Sequence, residues 1–375
     1  MKRLFFFIES LSGGGAEKSL VTLLCHLDNA KYDVTLLTLV DTGPLIADIN
    51  KKSIHYQSVI HYSPKPLLNL WNKAKYKLIY YYLPIRWVCR WIVPQKGFDL
   101  YIAFTEGYAT KLLAYAPRNK IAWVHTDLKN NPWPLNIGIF NNLEAEKQAY
   151  AHYEKVICVS HVVENIMIDY YGIQQTQTIY NLIDTDYINA QSICPTSFSA
   201  SLGFNIVTVG RLVPQKGYNE LILIIAKLRE RGKDIHLCII GTGSELEKLE
   251  QLTRQYGVTD SVIFMGYQNN PYPIMRQADL LVCSSHVEGF GLTIAEAMIL
   301  GLPVISMKCS GPEEILKNGI FGELCDNYES LANAIDKAYS DADYLKELQM
   351  KSLAGGKCFN IRQSMQQIEM LLDRI

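Results

Sequence analysis

Short apolar runs rich in β-branched and aromatic residues recur along this chain, separated by longer segments with helical periodicity. In the first half the runs are Leu4–Ile8, Val34–Leu39, Leu100–Phe104, Ile121–His125, Val156–Ser160 and Gln177–Tyr180. In the second half they are Asn205–Val209, His236–Ile240, Val262–Met265, Leu280–Cys283 and Pro303–Met307. These runs are apolar continuously instead of alternating, as strands covered on both faces must be. Their alternation with helices predicts an α/β protein of doubly wound parallel sheets. A chain of 375 residues has room for two such domains, at roughly 150 residues each. The break is expected near 190–203, where small and turn residues cluster. That gives an N-terminal domain 1–190, a C-terminal domain 203–360 and a terminal helix 361–375.

Helix signals fit the same frame. Leu20, Leu23, Leu24 and Leu27 form one apolar stripe, and Leu221, Ile224, Ile225 and Leu228 form another. Ser244-Glu-Leu-Glu247 reads as a capping box opening a helix that Gly257 closes. Thr293-Ile-Ala-Glu296 reads as a second box, on a helix from about Thr293 to Leu300 that Gly301 and Pro303 stop.

Composition narrows the function classes. Basic residues number 36 and acidic ones 37, so the excess of positive charge expected of a general nucleic-acid binder is missing. The nine cysteines are scattered without a C-x-x-C pair, which argues against a zinc ribbon and for buried thiols in a reducing, cytoplasmic compartment. The apolar start Leu4–Ile8 is interrupted by Glu9 and followed by glycines, which suits a buried first strand better than a signal peptide. No apolar stretch reaches membrane-spanning length. Charge is nevertheless uneven: residues 49–98 carry nine Lys/Arg and no acid, interleaved with Trp71, Tyr76, Tyr80, Tyr81, Tyr82, Trp87 and Trp91. Rings at headgroup depth with cations facing anionic lipid would use such a segment at the inner face of a membrane. A helical hairpin packed on its own domain, with a solvated basic face, is the plainer reading.

Ligands of doubly wound sheets bind outside the carboxyl ends of the strands, so the loops after the strands hold the candidate site. Three of them stand out. Ser12-Gly-Gly-Gly-Ala-Glu-Lys18 follows the first strand and can bring backbone amides close to an anion or a sugar. It is neither a Walker loop nor G-x-G-x-x-G. Gly210-Arg-Leu-Val-Pro-Gln-Lys-Gly217 places Arg211 and Lys216 on one loop, a guanidinium fork and a point charge suited to a diphosphate. Glu288-Gly-Phe-Gly-Leu-Thr-Ile-Ala-Glu296 sets two carboxylates around free amides at a helix start.

Taken together these motifs resemble glycosyltransferase family 4, the group 1 glycosyltransferases, retaining enzymes of the GT-B fold. Glu288 to Glu296 matches the E-x7-E element, Gly210-Arg211 with Lys216-Gly217 the phosphate loop, and Gly13–Glu17 the N-terminal glycine loop. Asn181-Leu-Ile-Asp184 matches N-G-[IV]-D, with Leu182 in place of the glycine. The resemblance runs from residue 3 to about 320. It implies two Rossmann-like domains facing across a cleft, with the terminal helix returning to the first. It implies catalytic roles for Glu288, His125, Arg211 and Lys216. The donor nucleotide sugar would be held by Gly14, Gly15, Arg211, Lys216, Gly289, Phe290, Gly291, Leu292, Thr293 and Glu296, with Glu296 on the ribose. The turn Gly266-Tyr267-Gln268 would lie near the base. Neither a cofactor nor a metal is expected: two cations serve the leaving group, and the D-x-D Asp184-Thr-Asp186 falls in the connector.

Three functions follow. The favoured one is transfer of a sugar from a nucleotide sugar, a UDP-sugar, to a lipid-linked or membrane-bound glycan in cell-surface polysaccharide synthesis. The others are the same chemistry on a small soluble acceptor and a catalytically silent scaffold subunit.

Overall fold

The computed structural model describes residues 1–50, 54–62, 66–117, 119–196, 198–200 and 203–375. Two compact units result, Met1–Leu182 with Arg362–Ile375, and Ile183–Ile361.

The first unit holds β1 (Lys2–Ile8), β2 (Tyr32–Asp41), β3 (His55–His61), β4 (Leu100–Ala103), β5 (Lys120–Val124), β6 (Lys155–Cys158) and β7 (Thr176–Thr178). They form one sheet in the order β3-β2-β1-β4-β5-β6-β7, with every pairing parallel. Leu4, Phe5, Phe6, Phe7 and Ile8 are all buried, because β1 lies inside the sheet and is covered on both faces. The helix Gly15–His26 buries Leu20, Leu23 and Leu24 of its stripe. The terminal helix Ile361–Arg374 belongs with this sheet: the Lys2 ammonium donates to the Leu372 carbonyl at 2.5 Å and the Tyr32 hydroxyl to Asp373 at 2.6 Å.

The second unit holds β8 (Phe204–Val209), β9 (Ile235–Ile240), β10 (Val262–Gly266), β11 (Leu280–Cys283), β12 (Val304–Met307) and β13 (Glu323–Cys325). Their order is β10-β9-β8-β11-β12-β13, again parallel throughout. Leu221, Ile224, Ile225 and Leu228 enter its core beside Leu237 and Leu280. In each sheet the order reverses once, between β1 and β4 and between β8 and β11. Those reversals are the topological switch points where such sheets bind ligands.

The edge strands β3 and β13 escape sequence reading. β3, His55-Tyr-Gln-Ser-Val-Ile-His61, pairs on one side only and buries little besides Ile60, so it lacks a continuous apolar run. β13 has only three residues.

Other expectations need correcting. The helix Leu246–Gln255 has no side-chain cap, so the box Ser244–Glu247 does not form. Glu245 instead donates its amide to the Leu212 carbonyl at 3.0 Å, and its carboxylate takes Lys248 at 2.9 Å. Gly257, at φ +64°, does end this stretch. The box Thr293–Glu296 also fails: the helix is Leu292–Ile299 and its N-cap is Gly291, in the left-handed region at φ +92°. The units part at Leu182/Ile183, ahead of the expected 190–203, because the helix Thr185–Ser192 packs on Tyr272–Gln277 and Leu292–Ile299. Within 190–203, residues 197, 201 and 202 lie outside the described residues.

The segment 49–98 forms the helix Pro66–Lys77, a π-helical turn Leu78–Tyr82 and the helix Ile85–Ile92. Trp71, Tyr82, Trp87 and Trp91 are 77%, 76%, 71% and 62% exposed. Lys75 lies 5.8 Å from the Trp91 ring centroid. Lys51, Lys52 and Lys65 lie outside the described residues. Among the described residues no helix is long and apolar enough to cross a membrane.

Candidate active site

The switch point of the second sheet gathers the charged motifs. The loop after β8 carries Arg211 and ends in the short 3-10 turn Pro214–Lys216. The loop after β11 carries Ser284, Ser285 and Glu288. Lys216 donates to Glu288 Oε1, with the two side chains only 20% and 16% exposed. Ser285 donates to the same oxygen at 3.0 Å.

Backbone contacts hold the loops in this register. Ser284 donates its hydroxyl to the Lys216 carbonyl at 2.7 Å, and the His286 amide donates to the Gln215 carbonyl at 2.8 Å. The Tyr328 hydroxyl donates to the Ser284 carbonyl at 2.8 Å. Gly217 sits between them at φ +63°, and a Cβ there would collide with the Ser284 carbonyl and the Tyr328 hydroxyl. Only glycine satisfies both the left-handed backbone and the close approach. The Gly311 amide donates to the Glu288 carbonyl at 2.9 Å, which fixes the acidic loop from the β12 side.

The electrostatics favour a standing cation. Burial works against the Lys216 ammonium, but Glu288, with Tyr218 and Cys283, outweighs it and keeps the amine well above its ordinary value. Arg211 is exposed and, among the described residues, its guanidinium makes no hydrogen bond or ion pair. One loop thus presents a paired cation and an open one.

Glu296 is buried and accepts from the Tyr272 hydroxyl at 3.1 Å. Burial, and after it this neighbouring carboxylate, hold the Tyr272 phenol far above its usual range. The Phe290 ring is buried, so only its backbone can serve a ligand. Gly289 and Gly291 are buried as well, whereas Leu292 and Thr293 are half-buried. Gln268 donates to the Met265 carbonyl at 2.8 Å, closing the turn at Gly266. Asp184 caps the helix Thr185–Ser192 by accepting from the Tyr187 amide at 2.8 Å, a structural use of that D-x-D.

The remaining candidates belong to the first unit. Gly14 is the N-cap of the helix Gly15–His26, in extended geometry. His125 follows β5 and donates its backbone amide to Glu106 at 2.9 Å. Its ring lies 5.1 Å from Phe104, and both ring nitrogens are buried without a hydrogen-bond partner among the described residues. Burial pulls the imidazole pKa down while Glu106 opposes, so the ring favours its neutral form.

Ser284, Ser285, Tyr272, Tyr328 and Gly311 were not singled out from sequence. Ser284-Ser285 had a local signal, since it directly follows an apolar strand. Tyr272 and Tyr328 had none.

Two parallel doubly wound sheets, with paired charges at a switch point, define a GT-B protein. Family comparison agrees. Residues 13–187 match the model described as Glycosyltransferase Family 4, and residues 201–352 match Glycosyl transferases group 1. The chain belongs to this family and is a glycosyltransferase. It is 26% identical, over 96% of both chains, to the N-acetylgalactosamine-N,N'-diacetylbacillosaminyl-diphospho-undecaprenol 4-alpha-N-acetylgalactosaminyltransferase of Campylobacter jejuni. It is 32% identical to the lipopolysaccharide 1,6-galactosyltransferase of Salmonella typhimurium, over 51% of this chain and 53% of that one. Among solved structures, Anabaena Alr3699/HepE in complex with UDP-glucose superposes with a TM-score of 0.79 at 22% identity, covering 100% of both chains.

Proposed function

We propose that this glycosyltransferase moves a sugar from a UDP-sugar, with retention of configuration, to a lipid-linked or membrane-bound glycan in cell-surface polysaccharide synthesis. The observation that carries the donor half is the juxtaposition of Lys216 and Glu288 at the second switch point, with Arg211 open on the same loop. The reaction breaks the bond between the anomeric carbon and the donor phosphate oxygen. It forms a bond from that carbon to an acceptor hydroxyl, whose proton leaves with the diphosphate. Negative charge grows on the diphosphate as the bond breaks. Lys216 and Arg211 neutralise it, and the amides of 289–293 add to the field. Glu288 takes the sugar hydroxyls once a phosphate claims Lys216, and Glu296 takes the ribose. Neutral His125 accepts or donates a hydrogen bond on the sugar or acceptor, and Gly14 and Gly15 let backbone approach the donor. In this reading the two cations do the work a divalent metal does elsewhere, and no cofactor takes part.

The choice of UDP is supported by the UDP-glucose complex of the Anabaena structure. The lipid-linked acceptor is supported by the diphospho-undecaprenol in the name of the Campylobacter relative. A peripheral position on the cytoplasmic face of the membrane is supported by the exposed tryptophans and the cationic run of 49–98.

Thermal shifts with nucleoside diphosphates and nucleotide sugars, without added metal, test the donor. A ligand at 100 times its dissociation constant adds about 2.7 kcal/mol. A UDP-selective shift supports the reading, and a GDP-selective one replaces the base. Sedimentation with anionic vesicles tests the surface: binding that salt releases supports it, and no binding at any salt transfers the enzyme to soluble acceptors.

A further inference from the structure

The first sheet has its own switch point, and two carboxylates stand on it. Glu9 follows β1 and Glu106 follows β4, the strands flanking the reversal. Glu106 is tied to the backbone of His125 and to the Trp133 indole, at 2.9 and 3.3 Å. Glu9 is tied differently. It precedes the glycine loop 12–15, and its side chain reaches two other elements. The Tyr108 amide, at the start of the helix Tyr108–Leu113, donates to Glu9 Oε1 at 3.2 Å. The Tyr80 hydroxyl, in the π-helical turn of the basic-aromatic hairpin, donates to Oε2 at 3.3 Å. The Glu9 carbonyl meanwhile accepts from the Val40 amide at 3.0 Å, so its own backbone is anchored to the end of β2.

The hairpin side of this joint is stiff. Tyr80 stacks on Tyr108 at 4.5 Å and 12°, and on Tyr76 at 5.0 Å and 22°. The Tyr108 hydroxyl donates back to the Ile79 carbonyl at 3.1 Å. The hairpin and the strand end therefore move together as long as Glu9 accepts both bonds.

We propose that Glu9 couples the exposed aromatic hairpin to the glycine loop and so transmits docking on a lipid surface to the first switch point. The membrane half of this rests on the lipid-surface reading above. The coupling half does not. An ionised carboxylate accepts both bonds with the help of its charge, whereas a protonated one keeps only a neutral acceptor for the Tyr108 amide and meets the Tyr80 hydroxyl by reversing that bond, so both weaken. Burial lifts the Glu9 carboxyl to about 7, against the bonds from Tyr108 and Tyr80. Glu106 from the β4 loop and Glu17 from the helix Gly15–His26 push it the same way as burial. The phenols of Tyr80, Tyr76 and Tyr108 face it from the other elements, each raised by burial first and by Glu9 second. The joint tightens as pH rises through this range.

Hydrogen exchange on the whole chain tests this, read at residues 10–20 and 78–92. In the native protein, protection at 10–20 should rise roughly threefold or more between about pH 6 and about pH 8, after correction for intrinsic rates. Glu9→Gln keeps the volume but puts an amide donor where an acceptor stood. It should lower protection at 10–20 near pH 8 and abolish the pH step. Tyr80→Phe keeps the ring stack and should lower protection at 10–20 as well. Tyr81→Phe, on the exposed side of the same turn, should not. If neither Glu9→Gln nor Tyr80→Phe alters 10–20, or if the pH step survives Glu9→Gln, the coupling is overturned. Vesicles of phosphatidylcholine with phosphatidylglycerol separate the two halves. They should protect 78–92 in both proteins, but 10–20 only in the native one. Vesicles that protect 78–92 alone in the native protein overturn the coupling and leave the lipid reading standing. Vesicles without effect on 78–92 overturn the lipid reading, and the variants still decide the coupling.

Discussion

Lys216 donates to Glu288 Oε1 across 72 residues of sequence, from the loop after β8 to the loop after β11. The two loops flank the switch point of the second sheet. A diphosphate carries more charge than one carboxylate and competes for the same ammonium. Lys216→Ala should therefore weaken UDP binding and lower kcat/KM by about 10²–10³-fold. Glu288→Gln should leave UDP affinity within about threefold and lower kcat, because it alters the sugar side of the site. Titration calorimetry with UDP separates the two. Unchanged UDP affinity in Lys216→Ala would remove the lysine from the phosphate site.

Arg211 offers a sharper contrast, because it is exposed and unpaired among the described residues. Arg211→Ala should change the stability of the ligand-free protein by no more than about 0.5 kcal/mol. The thermal shift produced by UDP should shrink severalfold. A normal UDP shift in this variant would contradict a role on the diphosphate.

Gly217 and Gly232 both lie at positive φ, +63° and +78°. A Cβ at Gly232 meets nothing within 4 Å, whereas one at Gly217 meets the Ser284 carbonyl. Gly232→Ala should cost only the left-handed backbone penalty, about 1–2 kcal/mol. Gly217→Ala should cost more in urea denaturation, and it should weaken UDP binding because the loop holding Lys216 must shift. Equal costs at the two positions would mean that the Lys216 loop yields freely.

Glu146 is fully buried, and burial raises its carboxyl from 4.5 to about 7 against the bond from Tyr171. The native state thus binds this proton more tightly than the unfolded chain does. Its stability falls as pH rises from about 4.5 through about 7 and then levels off. Glu146→Gln removes the charge and keeps an acceptor for Tyr171. It should stabilise the protein at about pH 8 by as much as about 3 kcal/mol, and by nothing near pH 4. Denaturation at both pH values checks the difference. A gain of equal size at both would rule out the ionisation as its source.

Legibility from sequence followed locality. The continuous apolar strands, Leu4–Ile8 among them, announced buried parallel sheets because burial on both faces writes itself into neighbouring residues. The edge strand His55–His61 did not, since half of it faces solvent. The capping boxes at Ser244 and Thr293 were locally plausible and failed. Gly243 and Gly291 bring the chain into each helix along a different path, set by Leu212 in one case and a left-handed glycine in the other.

The sequence by itself determined the two-sheet architecture, the family, and the loops that carry Arg211, Lys216, Glu288 and Glu296. Those properties rest on residue type and spacing within a few turns of chain. Tertiary structure alone decided that Lys216 meets Glu288, that Tyr272 caps Glu296, and that Tyr80 holds Glu9. It also decided that Glu146 is buried deeply enough to resist ionisation. Each of these depends on the fold bringing segments distant in sequence together, and on how much water remains between them once they arrive.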